Sequence, residues 1–294
     1  MPENASSDYS QLRIGVVGLG TIGSGVIKSL DRSGVTATGY DIDQGKAGRL
    51  PCAGAASAAE VASASDVVLI SVVNGDQARD VLFGPKGIAA GARPNLIVAL
   101  LSTVSLETLL ELSEDAAKAG IRLLDSPVTA GQHAATNGLV VMLGGDEATA
   151  EEALPALRAF AKAAIYCGPL GAGMAAKLVR QIIVAGSWKV MYDAACFARA
   201  VGVEYGRVKE IVQAADPDGE TVLGLMGLRG DSLAELPAPK QQELRKYYDL
   251  MVKDITAARE LGEAHDFRLP MVDELITDPG PAMYGVTNGV EHHG

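Results

Sequence analysis

The feature that most constrains the fold of this chain is a glycine-rich turn, GLGTIG, at residues 18–23. A short apolar run at 12–17 precedes the turn, and a stretch of helical character follows it to about Arg32. A short apolar run bounded by glycine is typical of a strand buried on both faces of a parallel sheet. Strand, turn and helix in this order predict the first unit of a doubly wound α/β domain.

In this context the turn predicts a site for a dinucleotide pyrophosphate. Gly18 permits the tight turn, Gly20 lets the backbone approach the phosphates, and Gly23 lets the helix pack closely on the strand. The free N–H groups at the start of the helix face the same phosphates. We therefore expect the cofactor to contact Gly18, Leu19, Gly20, Thr21, Ile22 and Gly23.

An acidic residue closes the next predicted strand, at 37–40, and indicates which nucleotide is bound. Asp41 stands 23 positions after Gly18, where a carboxylate can accept hydrogen bonds from the adenosine ribose and repel a 2′-phosphate. No arginine follows it directly, since the next residues are Ile42 and Asp43. The sequence predicts NAD as the cofactor, with NADP less favoured, and an Asp41 that has no cationic neighbour.

The remaining patterns divide the chain into two kinds of structure. Strands are expected at 65–73, 96–101, 121–124, 139–143 and 165–167, and helices between them at 106–118 and 147–163. After residue 171 only helical patterns remain, at 172–200, 205–215, 239–261 and 270–277. This order predicts a Rossmann-type doubly wound parallel sheet followed by an all-helical C-terminal domain. We expect a flexible arm at 1–11, a dinucleotide-binding domain at 12–167 and a helical substrate and dimerisation domain at 168–294.

Charge and cysteine content exclude several classes of function. The 294 residues carry a net charge of −11, which argues against a nucleic-acid or anionic-membrane surface. The three cysteines have no paired spacing, and no histidine cluster appears, so we expect neither a disulfide framework nor a metal site. The N-terminus is polar, with no signal peptide or spanning segment visible. A reduced, cytoplasmic protein that acts on a small molecule is the expectation.

The run at 172–200 is apolar on every side of a helix, the pattern of a helix buried all round between subunits or domains. Lys177 lies in its second turn, followed by Arg180 and Gln181. Taken alone, the helix suggests an amine that snorkels to water. The nucleotide motif upstream favours another interpretation, in which Lys177 transfers a proton and Gln181, one turn further on, holds the substrate.

Two other stretches fall where ligands bind in such sheets, beyond the carboxyl ends of strands. Ser102 and Thr103 follow one strand, and they either cap the helix at 106–118 or contact a ligand. Small residues at 125–131, DSPVTAG, follow the next strand. Their backbone N–H groups can form a nest for a carboxylate.

At this point the chain resembles the β-hydroxyacid dehydrogenases, the family of 3-hydroxyisobutyrate dehydrogenase and tartronate semialdehyde reductase. The resemblance covers residues 12–277 and rests on GLGTIG at 18–23, DSPVTAG at 125–131, GPLGAGMAAKLVRQ at 168–181 and KDITAA at 253–258. The stretch VVNGDQARDVLFGPKGI at 72–88 looks like the family's third-strand region.

The resemblance implies an NAD(P)-dependent oxidoreductase that transfers hydride between the cofactor and a small β-hydroxy acid or its semialdehyde. It implies a homodimer, or a homotetramer of such dimers, built largely on the long helix. Lys177 matches the catalytic lysine. Further site residues implied are Val72, Val73, Thr103 and Lys253 for the cofactor, and Thr129, Ala130 and Gly131 for the acid end of the substrate.

Three positions depart from the family pattern. Thr129-Ala130-Gly131 stands where the family has Ser-Gly-Gly, Gln181 stands where it has Asn, and Arg180 where many members have Asn. These changes favour a larger or less typical substrate. The alternatives are an imine reductase on the same scaffold, a non-catalytic nucleotide-binding relative and a 6-phosphogluconate-type enzyme. Lys177 argues against the first two, and the scarcity of cations argues against the third.

Overall fold

The computed structural model describes residues 13–219 and 237–277, and within them nine strands form one mostly parallel sheet. The strands are β1 (Ile14–Val17), β2 (Thr38–Tyr40), β3 (Ala53–Gly54), β4 (Val67–Ile70), β5 (Ile97–Leu100), β6 (Arg122–Asp125), β7 (Val128–Thr129), β8 (Leu139–Gly144) and β9 (Ala161–Gly168). They lie in the order β3-β2-β1-β4-β5-β6-β8-β7, and β9 pairs with β8. The arm expected at 1–11 lies outside the described residues.

Helices connect the strands, and only helices follow the last strand in the described part of the chain. Those between strands are α1 (Thr21–Arg32), α2 (Ala58–Ala64), α3 (Gly75–Phe83), α4 (Ile88–Gly91), α5 (Leu106–Lys118) and α6 (Glu147–Phe160). After the sheet come α7 (Ala172–Ala200), α8 (Tyr205–Ala215), α9 (Ala238–Ala264) and α10 (Pro270–Thr277). Short 3₁₀ helices occupy Ala47–Arg49 and Gly131–Thr136. Among the described residues, none of the helices has both the length and the apolarity needed to cross a membrane.

The central strands are buried on both faces, which explains their unbroken apolar sequences. Successive side chains of a strand point to opposite faces of a sheet. Val16 accordingly packs in one core with Val26 of α1, while Val17 packs in the other with Val61 of α2. Helices therefore cover both faces of a parallel sheet, and the predicted fold class is confirmed.

The boundary between α6 and β9 differs from the sequence prediction. The helix expected at 147–163 ends at Phe160, and the edge strand expected at 165–167 is the longer β9, Ala161–Gly168. The alanines at the start of β9 do not by themselves distinguish helix from strand. Pairing decides, since β9 runs parallel to β8 with Val141 opposite Ala164, and a neighbouring strand outweighs a weak local propensity.

The chain forms two compact units, one up to Ile182 and one from Ile183. The first contains the sheet, α1–α6 and the start of α7. The second contains the rest of α7 with α8, α9 and α10, and in it Phe197 packs against Phe267 with ring centroids 6.2 Å apart. The domain division expected at residue 168 stays a prediction.

The long helix α7 is not buried on all sides in a single chain. Ile182 is 73% exposed and Trp188 74%, and several further apolar side chains of α7 are also exposed: Leu178, Val179, Val190, Met191 and Tyr192. The expected burial of α7 between subunits or domains stays a prediction, since these exposures are those of one chain.

A buried carboxylate fixes the start of α7 to the sheet. Asp125, the last residue of β6, is fully buried and accepts hydrogen bonds from the N–H groups of Gly171 at 2.8 Å and Met174 at 2.7 Å. Met174 N lies in the first turn of α7 and Gly171 N directly precedes the helix, so neither has a partner within it. The carboxylate also lies at the positive end of the helix dipole. Asp125 therefore acts as a cap supplied by a distant strand.

We expect Asp125→Ala to lower the free energy of unfolding by about 3 kcal/mol, because it leaves two buried donors without an acceptor. Ser105→Ala is the matched control, since Ser105 caps α5 by accepting from Thr108 N at 3.1 Å on the surface, and losing such a cap costs about 1 kcal/mol. Urea denaturation followed by circular dichroism measures both variants. Equal losses of unfolding free energy in the two variants would show that the buried cap stabilises the protein no more than the surface cap does.

Candidate active site

A crevice opens at the carboxyl ends of the central strands. β1 pairs with β2 on one side and with β4 on the other, so the chain changes direction across the sheet at β1. Crevices at such points bind ligands in open α/β sheets. A cleft of about 530 Å³ lies there, and its lining includes five of the residues predicted to contact the cofactor: Gly18, Gly20, Asp41, Val72 and Val73.

The three glycines of the turn have different surroundings. Gly18 has φ +88°, in the left-handed region, and a Cβ on it would overlap the carbonyl oxygen of Ser71. A Cβ on Gly23 would overlap the carbonyl oxygen of Gly18. A Cβ on Gly20, in contrast, would point into open space, with no described atom within 4 Å. Gly18 and Gly23 are needed for packing, whereas Gly20 keeps the backbone accessible from the cleft.

The start of α1 supplies donors to the same space. Gly20 is its N-cap residue, no side chain of the described residues caps it, and its first turn contains no acidic residue. The first N–H groups of a helix have no acceptor inside the helix and favour an anion. An accessible backbone at Gly20 and uncapped N–H groups beyond it fit the pyrophosphate of a dinucleotide.

Asp41 also lines the cleft, and several donors hold its carboxylate. It is buried, and its Oδ2 accepts from Leu19 N at 2.7 Å and its Oδ1 from Asp43 N at 2.9 Å. Burial tends to raise the pKa of Asp41, but the N–H groups of Asp43 and Leu19 and the Lys46 ammonium outweigh it and hold the pKa below its ordinary value. Asp41 is thus a fixed, ionised carboxylate.

The prediction that Asp41 has no cationic neighbour is wrong. Lys46 Nζ lies 3.1 Å from both carboxylate oxygens. The chain turns back after β2, where Asp43 Oδ1 accepts from Gly45 N at 3.1 Å, and this brings Lys46 over Asp41. Lys46 also lines the cleft. The spacing Asp43-x-Gly45 was the available turn signal in the sequence, and side-chain direction was not readable from it.

Ser102 has a structural role in the crevice. Its hydroxyl accepts from Val72 N and donates to Val72 O, both at 2.8 Å, and so ties the loop after β4 to the end of β5. The prediction that Ser102 or Thr103 caps α5 is wrong, because Ser105 is the residue that caps this helix. Thr103 is exposed directly beyond β5. Its contact with the cofactor stays a prediction.

Lys177 does not snorkel to water. It is half-buried, and its Nζ donates to the carbonyl oxygen of Val128 at 2.6 Å. Burial lowers the pKa of the Lys177 ammonium below its ordinary value, and the nearby Arg180 guanidinium lowers it further. Because Val128 directly precedes Thr129, this hydrogen bond brings the predicted catalytic amine to the predicted substrate turn.

The turn at 129–131 also lies close to the nucleotide motif at 18–23. Ala130 has φ 60° and ψ 42°, so the chain bends through the left-handed region there. A Cβ on Gly131 would lie 3.0 Å from Ile22 Cδ1, in the first turn of α1. Thr129, Ala130 and Gly131 therefore lie between Lys177 and the glycine-rich turn, within the first unit of the chain.

Two predicted residues lie on exposed surface. Gln181 is exposed, and its Oε1 accepts from Arg180 Nη1 at 2.6 Å, so the amide oxygen is engaged by a cation. Lys253 is exposed on α9 in the second unit, with its Nζ 3.2 Å from Asp254 Oδ1. Their roles toward substrate and cofactor stay predictions.

Comparison with known proteins finds two family models in the chain. A family model described as the NAD-binding domain of 6-phosphogluconate dehydrogenase matches residues 13–168. A second, described as the NAD-binding region of NADP-dependent 3-hydroxyisobutyrate dehydrogenase, matches residues 171–276. The two matches follow one another along the chain.

Relatives of known activity match along most of their length. The chain is 28% identical to L-threonate dehydrogenase of Escherichia coli O6:H1, over 94% of this chain and 92% of the relative. It is 27% identical to 2-(hydroxymethyl)glutarate dehydrogenase of Eubacterium barkeri, over 88% and 85%. A solved structure of Mycobacterium tuberculosis 3-hydroxyisobutyrate dehydrogenase with L-serine superposes with a TM-score of 0.64 at 25% identity, over 93% and 95%.

These matches extend the resemblance from a few motifs to nearly the whole of both halves of the chain. They join the nucleotide crevice to a family of enzymes whose members oxidise hydroxyl groups. The protein therefore belongs to the β-hydroxyacid dehydrogenase family and is an NAD(P)-dependent oxidoreductase that acts on hydroxyl groups.

Proposed function

We propose that this protein transfers hydride between NAD(H) and a small β-hydroxy acid or the corresponding semialdehyde, with Lys177 as the general acid and base. The observation that carries the proposal is the 2.6 Å hydrogen bond from Lys177 Nζ to Val128 O. It holds a half-buried amine beside the Thr129–Gly131 turn, which itself contacts the first turn of α1 through Ile22.

Lys177 supplies the proton transfer. When bound, the nicotinamide accepts a hydride from the carbinol carbon in oxidation and returns it in reduction. In oxidation the O–H bond breaks as the carbonyl forms, and the neutral Lys177 amine takes the proton. In reduction the Lys177 ammonium donates a proton to the carbonyl oxygen. The lowered pKa of Lys177 increases the share of neutral amine at working pH.

Residues near Lys177 would hold the acid end of the substrate. The backbone N–H groups of Thr129, Ala130 and Gly131 form the proposed carboxylate nest. Gln181 orients the substrate oxygen, and Arg180 adds a cation one turn from Lys177. The relatives named for L-threonate and 2-(hydroxymethyl)glutarate act on hydroxy acids larger than 3-hydroxyisobutyrate. Among small β-hydroxy acids, we therefore propose one larger than 3-hydroxyisobutyrate as the substrate.

Cofactor and assembly complete the proposal. Asp41 favours NAD over NADP through its charge, and contacts with the cofactor extend to Leu19, Thr21, Ile22, Thr103 and Lys253. The exposed apolar surface of α7 supports a homodimer, alone or as half of a tetramer, with α7 covered by a second copy. Residues 12–167 and 168–294 would then serve as the nucleotide and the substrate and dimerisation domains.

Lys177→Ala should reduce turnover by at least ~100-fold, the usual scale for loss of a positioned acid or base. Lys177→Arg should not restore it, because a guanidinium stays protonated and cannot cycle a proton. NADH binding should persist in both variants, since the cleft at Gly20 and Asp41 does not include Lys177. Turnover with a panel of hydroxy acids and a separate NADH titration measure these effects.

Lys189→Ala is the matched control for that experiment. It makes the same substitution further along α7, where Lys189 is exposed and pairs with Asp193. It should retain turnover. Wild-type turnover in Lys177→Ala would leave the proposed mechanism without its proton-transfer group.

The rate of oxidation should rise with pH and level off below the ordinary lysine pKa of 10.5, because burial and Arg180 lower the pKa of Lys177 and only the neutral amine accepts the proton. Arg180→Met removes one of the two causes, so its profile should move to higher pH. Arg158→Met on α6 makes the same charge change elsewhere and should leave the profile unmoved. An unmoved profile in Arg180→Met would refute the electrostatic link; kcat/KM across pH measures all three.

Light scattering at micromolar concentration should give at least a dimer. Trp188→Asp should shift it toward monomer, because it places a charge in the apolar surface of α7. Leu110→Asp provides the control, since Leu110 is an exposed leucine on α5, 46% accessible. A stable monomer in the unmodified protein would contradict the proposed assembly.

A further inference from the structure

The acceptor sites of Asp41 are fully occupied. A carboxylate offers about four lone-pair sites on its two oxygens. In Asp41, Oδ2 accepts from Leu19 N at 2.7 Å and from Lys46 Nζ at 3.1 Å, and Oδ1 accepts from Asp43 N at 2.9 Å and from the same Nζ at 3.1 Å. A ribose hydroxyl that donates to Asp41 therefore has to replace one of these donors.

Lys46 is the donor that can leave. Leu19 N and Asp43 N belong to the backbone of the loops that follow β1 and β2, whereas the Lys46 ammonium ends a flexible four-carbon stem. The Lys46 side chain is 39% exposed, against 8% for Asp41. The ammonium thus lies at the open side of the pair, and an ion pair so accessible to water holds its partners weakly.

Lys46 also changes what a 2′-phosphate would meet. A lone Asp41 carboxylate would repel the phosphate, but Asp41 and Lys46 together carry no net charge. Both residues line the 530 Å³ cleft that contains Gly20. An ammonium there can pair with a phosphate group as a point charge.

We propose that Lys46 determines cofactor discrimination by moving between two partners. Its ammonium leaves Asp41 when the adenosine ribose of NAD(H) binds, and it pairs with the 2′-phosphate when NADP(H) binds. Lys46 therefore narrows the preference for NAD(H) that Asp41 alone would give. This inference rests on the cofactor site of the proposed function and names the residue that sets its specificity.

The test is direct binding of the two reduced cofactors, with dissociation constants taken from nicotinamide fluorescence and no substrate present. Lys46→Met should raise the Kd for NADPH by at least ~10-fold, the loss of a charge-assisted contact. It should lower the Kd for NADH by about 3-fold, since a partly exposed ion pair no longer has to break. Lys46→Arg keeps the charge and should keep NADPH binding within about 3-fold of the unmodified protein.

Two controls isolate the mechanism. Lys28→Met removes the same charge from an exposed position on α1 and should change neither Kd. In an Asp41→Asn background, the effect of Lys46→Met on NADH should disappear, because that effect acts through the carboxylate. Its effect on NADPH should persist, because the phosphate contact does not need Asp41. This double-mutant cycle separates the effect of Lys46 that acts through Asp41 from its effect through the 2′-phosphate.

Equal Kd ratios for NADPH and NADH in Lys46→Met and in the unmodified protein would overturn the proposal. So would an effect of Lys28→Met as large as that of Lys46→Met. These results are independent of turnover. If the ratios shift as expected while no hydroxy acid is oxidised, the proposed function fails and the role of Lys46 stands.

Discussion

The buried carboxylate of Asp125 is the contact on which the geometry of the candidate site depends. It joins the end of β6 to the first turn of α7 through Gly171 N and Met174 N. Lys177 follows Met174 by three residues, about one helical turn, so a helix fixed at Met174 fixes the direction in which the amine extends. The hydrogen bond from Lys177 to Val128 O is the result. Asp125, at the end of β6, thus helps to set the position of the Lys177 amine beside Val128.

Electrostatics differ between the surroundings of Lys177 and those of Asp41. Near Lys177, burial and then the Arg180 guanidinium disfavour the charged amine and lower its pKa. Near Asp41 a cation and several N–H groups favour the charged carboxylate. The surroundings of Lys177 thus make its charged form easier to lose, whereas those of Asp41 stabilise its charged form. This is the division that the proposed roles require, with Lys177 as the proton-transfer group and Asp41 as the recognition group.

Much of the fold was readable from the sequence because its signals are local. The glycine turn at 18–23, the apolar runs of β1, β4 and β5, and the bounds of α7 follow from spacing and composition. What depends on pairing between distant segments was not readable, as the extent of β9 shows. The Lys46–Asp41 pair was missed for a related reason: a turn can be inferred from Asp43 and Gly45, but the direction of a long side chain cannot.

Ala130 shows how the turn at 129–131, the proposed substrate turn, differs from one built on glycine. With φ 60° and ψ 42°, its methyl group occupies a backbone region that costs an L-residue about 1 kcal/mol. Glycine there would be free of strain but would visit many other conformations. Alanine is strained in this conformation, but it loses less backbone entropy on folding than glycine would, because an unfolded chain with alanine has fewer conformations. The N–H groups beyond Ala130 are therefore presented by a preorganised turn, and a ligand that binds them has little ordering left to do.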